Sequence, residues 1–288
     1  MTDHHHPAPF GPPVLIGLVA VVAVWAYLEA ARRSRRRGRP WPHRRSLLWV
    51  AGLAAAAPAL AGPIADAAHL DFRVHMIGHV LLGMLGPLLL VLAAPVTLAL
   101  RALPVRHARR LSTVLRQPAV VALTHPVVAA TLNVGGLWVL YRTGLYATST
   151  DNAVLHILVH LHVLLAGCLF TAAIVGPDPA PHRPGLPTRA TVLVLAVAAH
   201  NILAKTIYAY PPTGVDAAQA ATAGQLMYYG AAPVELLMIV LLCREWAVPA
   251  RLPGFLDRDY VSRQDTRRRG SHGDRPLHPR PRPAERLG

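Results

Sequence analysis

The chain has 288 residues, 53% of them apolar and 15% charged, with a mean hydropathy of +0.36. A soluble domain carries about 25% charged residues, so these proportions exclude an ordinary cytosolic globule. The 29 basic residues against 14 acidic ones give a net charge of +15, yet the apolar residues lie in long runs, which points to a membrane protein with basic loops rather than a nucleic-acid-binding domain.

Seven runs near 12–31, 46–62, 75–100, 119–141, 153–175, 189–208 and 226–244 are apolar enough to be membrane spans. A bilayer core of about 30 Å needs roughly 20 helical residues. Barrel strands would alternate apolar and polar residues, and these runs are continuous, so the predicted fold is an all-α polytopic membrane helix bundle with seven transmembrane helices. The second run is short and Ala-rich. Gly86–Pro87 and Pro95 predict kinks in the third. A short tail, 1–11, precedes the seven-helix domain, 12–246, and an Arg- and Pro-rich segment, 247–288, reads as a disordered cytoplasmic tail able to touch anionic lipid. The first run lacks a basic n-region and reads as a retained helix, not a cleaved signal.

Arginine placement sets the orientation. Eight arginines fall between Arg32 and Arg45, five between Arg101 and Arg116, two at Arg183 and Arg189, and eleven from Arg244 onward. Those alternate loops hold 26 of the 29 basic residues; only Arg73, Arg142 and Lys205 fall on the others. The positive-inside rule then puts the N-terminus outside and the C-terminus inside.

Polar groups within the spans carry the functional information. His75 and His79 are four apart on the third predicted helix, and His156 and His160 repeat that spacing on the fifth. Side chains at i and i+4 share a helix face about 5–6 Å apart, so each pair can converge on one metal ion. The predicted topology puts both pairs and His200 in the outer half of the bundle, with Asp216 in the following loop and His69 and Asp71 just before the third helix. Met76 adjoins the first pair, and imidazole with thioether suits copper, while imidazole alone also suits zinc or iron. Haem is the main alternative, although i,i+4 pairs put both ligands on one side of a metal. Asn201 is a candidate to orient a ligand ring, and Glu235 is an ionisable group at mid-membrane depth. His125, in a Thr-His-Pro step near the other end, reads as a helix-start residue, and His162 points away from His160. His4, His5 and His6 read either as an external metal-gathering tract or as a floppy tail or a tag remnant. Cys168 and Cys243 lie singly in apolar runs, which excludes a disulfide framework or a cysteine zinc site. No catalytic constellation is present, so an enzyme is not expected.

The segment Phe72-Arg-Val-His75-Met76-Ile-Gly-His79, running into Gly86-Pro87-Leu-Leu-Leu and Ala94-Pro95, resembles the CtaG-type cytochrome c oxidase assembly factors. The resemblance continues through Thr124-His125-Pro126, His156-x-x-x-His160, Gly176-Pro177-Asp178-Pro179 and the stretch from Asp216 to Leu226-Met227-Tyr228-Tyr229-Gly230, covering roughly 46–246. Val159 stands where the family often has Glu. The resemblance implies a multi-pass protein of the bacterial plasma membrane that helps mature the oxidase by handling copper, with an oxidase subunit or a copper-delivery protein as partner. The expected metal ligands are His75, His79, His156, His160, His200 and Met76, with Asp71, Asn201, Asp216 and Glu235 as supporting groups. A haem-carrying cytochrome and a metal transporter are the competing expectations; nucleic acid is not an expected partner.

Overall fold

A computed structural model describes residues 12–180 and 182–247, and every regular element among them is helical. The expected amino-terminal tail with His4–His6, and all but the first residue of the expected carboxyl-terminal tail, lie outside the described residues. In chain order, α1 (Pro12–Arg36) and α2 (His43–Leu60) are followed by the short α3 (Pro63–Ala68). Then come α4 (Phe72–Val80), a π-helical turn at Leu81–Leu85, α5 (Gly86–Leu92) and α6 (Pro95–Ala102). A basic helix, α7 (Val105–Leu115), leads to α8 (Pro118–Leu123), α9 (Pro126–Ala130), a second π-helical turn at Thr131–Gly135, α10 (Gly136–Arg142) and α11 (Leu145–Asp151). The long helices α12 (Ala153–Val175), α13 (Leu186–Ala209) and α14 (Ala217–Ala247) complete the bundle.

Among the described residues, five helical segments are long and apolar enough to cross a membrane: Pro13–Arg36, Phe72–Ala102, Ala153–Val175, Leu186–Ala209 and Ala217–Ala247. The runs expected at 46–62 and 119–141 take a different form. α2 has only 18 residues and opens on His43-Arg44-Arg45. The other run is divided because Pro126 lacks an N–H and pushes the residue before it out of the helical region: His125 has ψ 129 and starts a new helix as its N-cap.

The kinks expected at the prolines of the third span have two distinct forms. Before Pro87 the chain widens into the first π turn, and before Pro95 the helix breaks at Ala94, whose φ of 56 is left-handed. Asp178, between α12 and α13, repairs that break: it accepts from the Val96 N–H at 3.1 Å, the Thr97 N–H at 2.7 Å and the Thr97 hydroxyl at 2.6 Å. Nearby, Arg37 Nη1 donates to the Ala102 carbonyl at 2.9 Å, one of the bare acceptors at the end of α6. Arg189, buried at the start of α13, donates to the Ile174 carbonyl and makes a two-pronged pair with Glu245 at 2.6 and 2.9 Å. These contacts gather the basic loops after α1, α6 and α12 with the end of α14.

Large apolar side chains remain exposed along the outside of the bundle, among them Leu15, Leu18, Trp25, Leu158, Leu195 and Leu236. Such a surface suits lipid and would drive association in water. Inside, α12 presses against the first π turn where Gly167 meets the Gly83 carbonyl; a Cβ on Gly167 would run into that oxygen and into Pro87. This close approach fixes the depth at which the histidines of α4 and α12 face each other.

Candidate functional site

The histidines lie toward the end of the bundle where α4, α12 and α14 begin. Asp71 caps α4, accepting from the Arg73 N–H at 2.8 Å, and pairs with the Arg73 guanidinium at 2.6 Å. That side-chain hydrogen bond, with the backbone N–H, holds the Asp71 carboxyl at about 2. Asp216 likewise caps α14, accepting from the Ala218 and Gln219 N–H groups at 3.0 and 3.1 Å. Gln219 then accepts from the Phe72 N–H at 3.0 Å, locking the start of α14 to the start of α4. Asp71 and Asp216, two of the three expected supporting carboxylates, are thus engaged with backbone at helix starts and pair with no imidazole.

Four histidines form one ring-to-ring cluster. The His156 and His160 centroids are 4.1 Å apart, His69 stacks on His156 at 4.8 Å, and His75 meets His160 edge-on at 6.4 Å. His69, on the loop after α3, is exposed, while His75, His156 and His160 are half-buried. His160 Nδ1 lies 2.8 Å from the His156 carbonyl. A carbonyl only accepts, so Nδ1 carries the proton and Nε2 of the neutral ring keeps its lone pair. His75 Nε2 is 3.0 Å from the Tyr141 hydroxyl.

His79 and His200 form a second, deeper group. Their rings lie 6.0 Å apart and nearly parallel, with 6% and 4% of each residue exposed. His200 Nδ1 is 3.0 Å from Glu235 Oε1, close enough for an ion pair but not aligned as a hydrogen bond. Asn201 points its amide at the other carboxylate oxygen, 3.5 Å away, and not at an imidazole. Three small cavities are lined by the two groups. One of about 10 Å³ is lined by His69, His75, His156 and His160; one of about 20 Å³ by His75, His79, Tyr141 and His160. The third, about 30 Å³, lies among His79, Met84, Asn133, His200 and Glu235, with room for one or two waters or an ion.

Other residues separate cleanly from these groups. Met76 is fully buried in the apolar core with Phe72, Leu203 and Met227 and lines none of the three cavities. His162 turns to the Leu132 carbonyl at 3.1 Å, in space left by Gly136. His125 accepts from the Val127 N–H at 3.4 Å as a helix cap. His69 escaped the reading from i,i+4 pairs because it sits alone in a loop; its proximity to α4 was its only signal.

Among the described residues, no three His, Cys, Asp or Glu side chains stand as a formed metal centre. The spacing is still compatible with one. With metal–nitrogen bonds of about 2.0–2.1 Å, two imidazoles on one ion hold their ring centroids roughly 5–6 Å apart. His79 and His200, at 6.0 Å, meet that requirement, and His75 and His160, at 6.4 Å, need a small approach.

These features define a multi-pass helical membrane protein with imidazole and carboxylate groups in its interior. The sequence profile of the cytochrome c oxidase caa3 assembly factors (Caa3_CtaG) matches residues 25–248, and the chain belongs to that family. It is 32% identical over 193 residues to uncharacterised proteins of Mycobacterium bovis and Mycobacterium tuberculosis, covering 65% of this chain and 29% of each relative. It is 36% identical over 176 residues to an uncharacterised protein of Mycobacterium leprae, covering 59% of this chain and 27% of that one. The match thus spans less than a third of these relatives' length. No solved structure matches the chain.

Proposed function

We propose that this assembly factor holds copper for cytochrome c oxidase through His75, His156 and His160, with His69 at the entrance, at the outer end of a seven-helix bundle in the bacterial plasma membrane. The observation that carries the reading is the convergence of four imidazoles, from α4, α12 and the loop after α3, at one end of the bundle. An unprotonated Nε2 on His160 supports it, because a neutral imidazole nitrogen is a metal ligand. Cavities of about 10–30 Å³ favour a metal ion over a porphyrin. A copper-delivery protein or an oxidase subunit would meet the site at this end.

The seven-span topology belongs to the same proposal. α2 would serve as the second span, and α8, α9, the second π turn and α10 together as the fourth. The N-terminus then lies outside and the C-terminus inside, with the basic loops gathered around Arg37 and Arg189 on the cytoplasmic side. Exchange of copper, and nothing catalytic, is the role this assigns to the chain.

The test is metal content and an absorption spectrum of the full-length protein, with His4, His5 and His6 replaced by Ser. Copper should bind without a Soret band, and His156→Ala/His160→Ala should lose one copper per chain. Affinity should fall on acidification, because protons compete for the imidazole nitrogens. Haem absorption, or unchanged copper content in the double variant, would overturn the reading.

A further inference from the structure

We infer that His79, His200 and Glu235 form a second, deeper cation site, distinct from the outer imidazole cluster and reached through it. The inference rests on the copper reading above only for the identity of the metal. The deep group stands on its own observations.

Eight buried side-chain polar atoms among the described residues lack a hydrogen-bond partner, and five belong to this group: His79 Nε2, His200 Nδ1, His200 Nε2, Asn201 Oδ1 and Glu235 Oε1. Buried polar atoms are nearly always satisfied, so such a concentration calls for a ligand. The His200–Glu235 contact accounts for two of the five and leaves His79 Nε2, His200 Nε2 and Asn201 Oδ1 without a partner. His79, His200 and Glu235 all line the cavity of about 30 Å³.

The donor set selects the ligand. Two imidazoles and one carboxylate suit a divalent first-row transition metal, and copper(II) binds such a site most tightly in that series. Glu235 is the one carboxylate lining the cavity, and no Lys or Arg lines it. A cation therefore meets a counter-charge there and no competing positive group. Asn201, with its amide toward the second carboxylate oxygen, keeps Oε1 turned toward His200.

The same geometry supplies a route. His75 and His160 line both outer cavities, and His79 lines both the middle and the deep one. A cation held first by His156 and His160 can pass to His75 and then to His79 without leaving imidazole nitrogen. His79 is the handover residue between an all-imidazole station and a mixed nitrogen–oxygen one.

The experiment uses the full-length protein with His4–His6 replaced by Ser, loaded to saturation with copper(II), desalted, and assayed for metal per chain and by electron paramagnetic resonance. The parent should hold two coppers with distinct signals. Glu235→Gln and His200→Gln should each fall to one, keeping the outer signal, which also shows that these variants are folded. His156→Ala/His160→Ala should fall to one with the complementary signal. Two coppers retained in both Glu235→Gln and His200→Gln, or loss of both coppers in both variants, would overturn the deep site. A single copper in the parent, removed by His156→Ala/His160→Ala, would overturn it while leaving the outer site intact. Loss of one copper in Glu235→Gln with none lost in His156→Ala/His160→Ala would support the deep site and overturn the outer one.

Discussion

At the Arg189 end of the bundle, buried charge is matched to a partner: both Nη groups of Arg189 are engaged by Ile174 and Glu245, and Asp178 accepts three hydrogen bonds from Val96 and Thr97. Around His79, beyond the His200–Glu235 contact, three buried polar atoms, His79 Nε2, His200 Nε2 and Asn201 Oδ1, have no partner. At the first end Arg189 Nε lacks a partner among these groups, whereas around His79 the partnerless atoms cluster beside a cavity. Polarity is nearly saturated where it holds the helices together and less so beside the cavity.

The sharpest way to test this contrast is to remove partners at the saturated end. Arg189→Ala strands the Ile174 carbonyl and removes a charge-assisted pair, and should destabilise the protein by about 2–3 kcal/mol. Glu245 is half-exposed, which keeps the loss below that of a fully buried pair. Asp178→Ala, which uncaps α6, should cost about 1–2 kcal/mol. Thermal unfolding in detergent measures both. The opposite outcome is expected in the deep cavity. His200→Leu/Glu235→Leu replaces open polar atoms with apolar ones of similar size and should leave stability unchanged or raise it by about 1 kcal/mol, while the deep copper is lost. A fall of more than about 1 kcal/mol there would mean that the deep group is structural after all. The smallest effect is at half-buried Asp71. Its carboxyl is held at about 2 in the folded chain against an ordinary 3.8, so its contribution is full above the ordinary value and disappears as pH falls toward 2. Asp71→Asn should remove that acid-limb dependence and lower neutral-pH stability slightly, because Asn still caps α4 but no longer pairs with the Arg73 guanidinium.

Much of this architecture was legible in the sequence because lipid simplifies the problem. Continuous apolar runs announce helices, and arginine placement identified the loops that Arg37, Asp178 and Arg189 now bring together. The i,i+4 spacing of His75 with His79 and of His156 with His160 placed four imidazoles on two facing helices. The spacing did not reveal that His79 turns deeper to meet His200 while His75 stays with His160, because partner choice depends on the angle between helices and not on period. Asp71 and Asp216 show a related point: a carboxylate near a histidine in sequence is also well placed to cap the next helix, and both do so here. The division of 119–141 was signalled by Pro126, but a hydropathy run does not register a missing N–H.

The two π turns, at Leu81–Leu85 and Thr131–Gly135, bring Gly83, Met84, Asn133 and Val134 to the wall of the deep cavity. Each works as an angular offset in its helix: one additional residue per turn shifts everything beyond it by about 100° around the axis. The face that carries His75 and His79 is therefore set independently of the face that presents Pro87 to α12. Deleting Gly83 would remove the offset, and His75 would no longer meet His160 across the α4–α12 contact, although no ligand had been changed. The spacing between His79 and Pro87 is in this sense as much a part of the site as the histidines themselves.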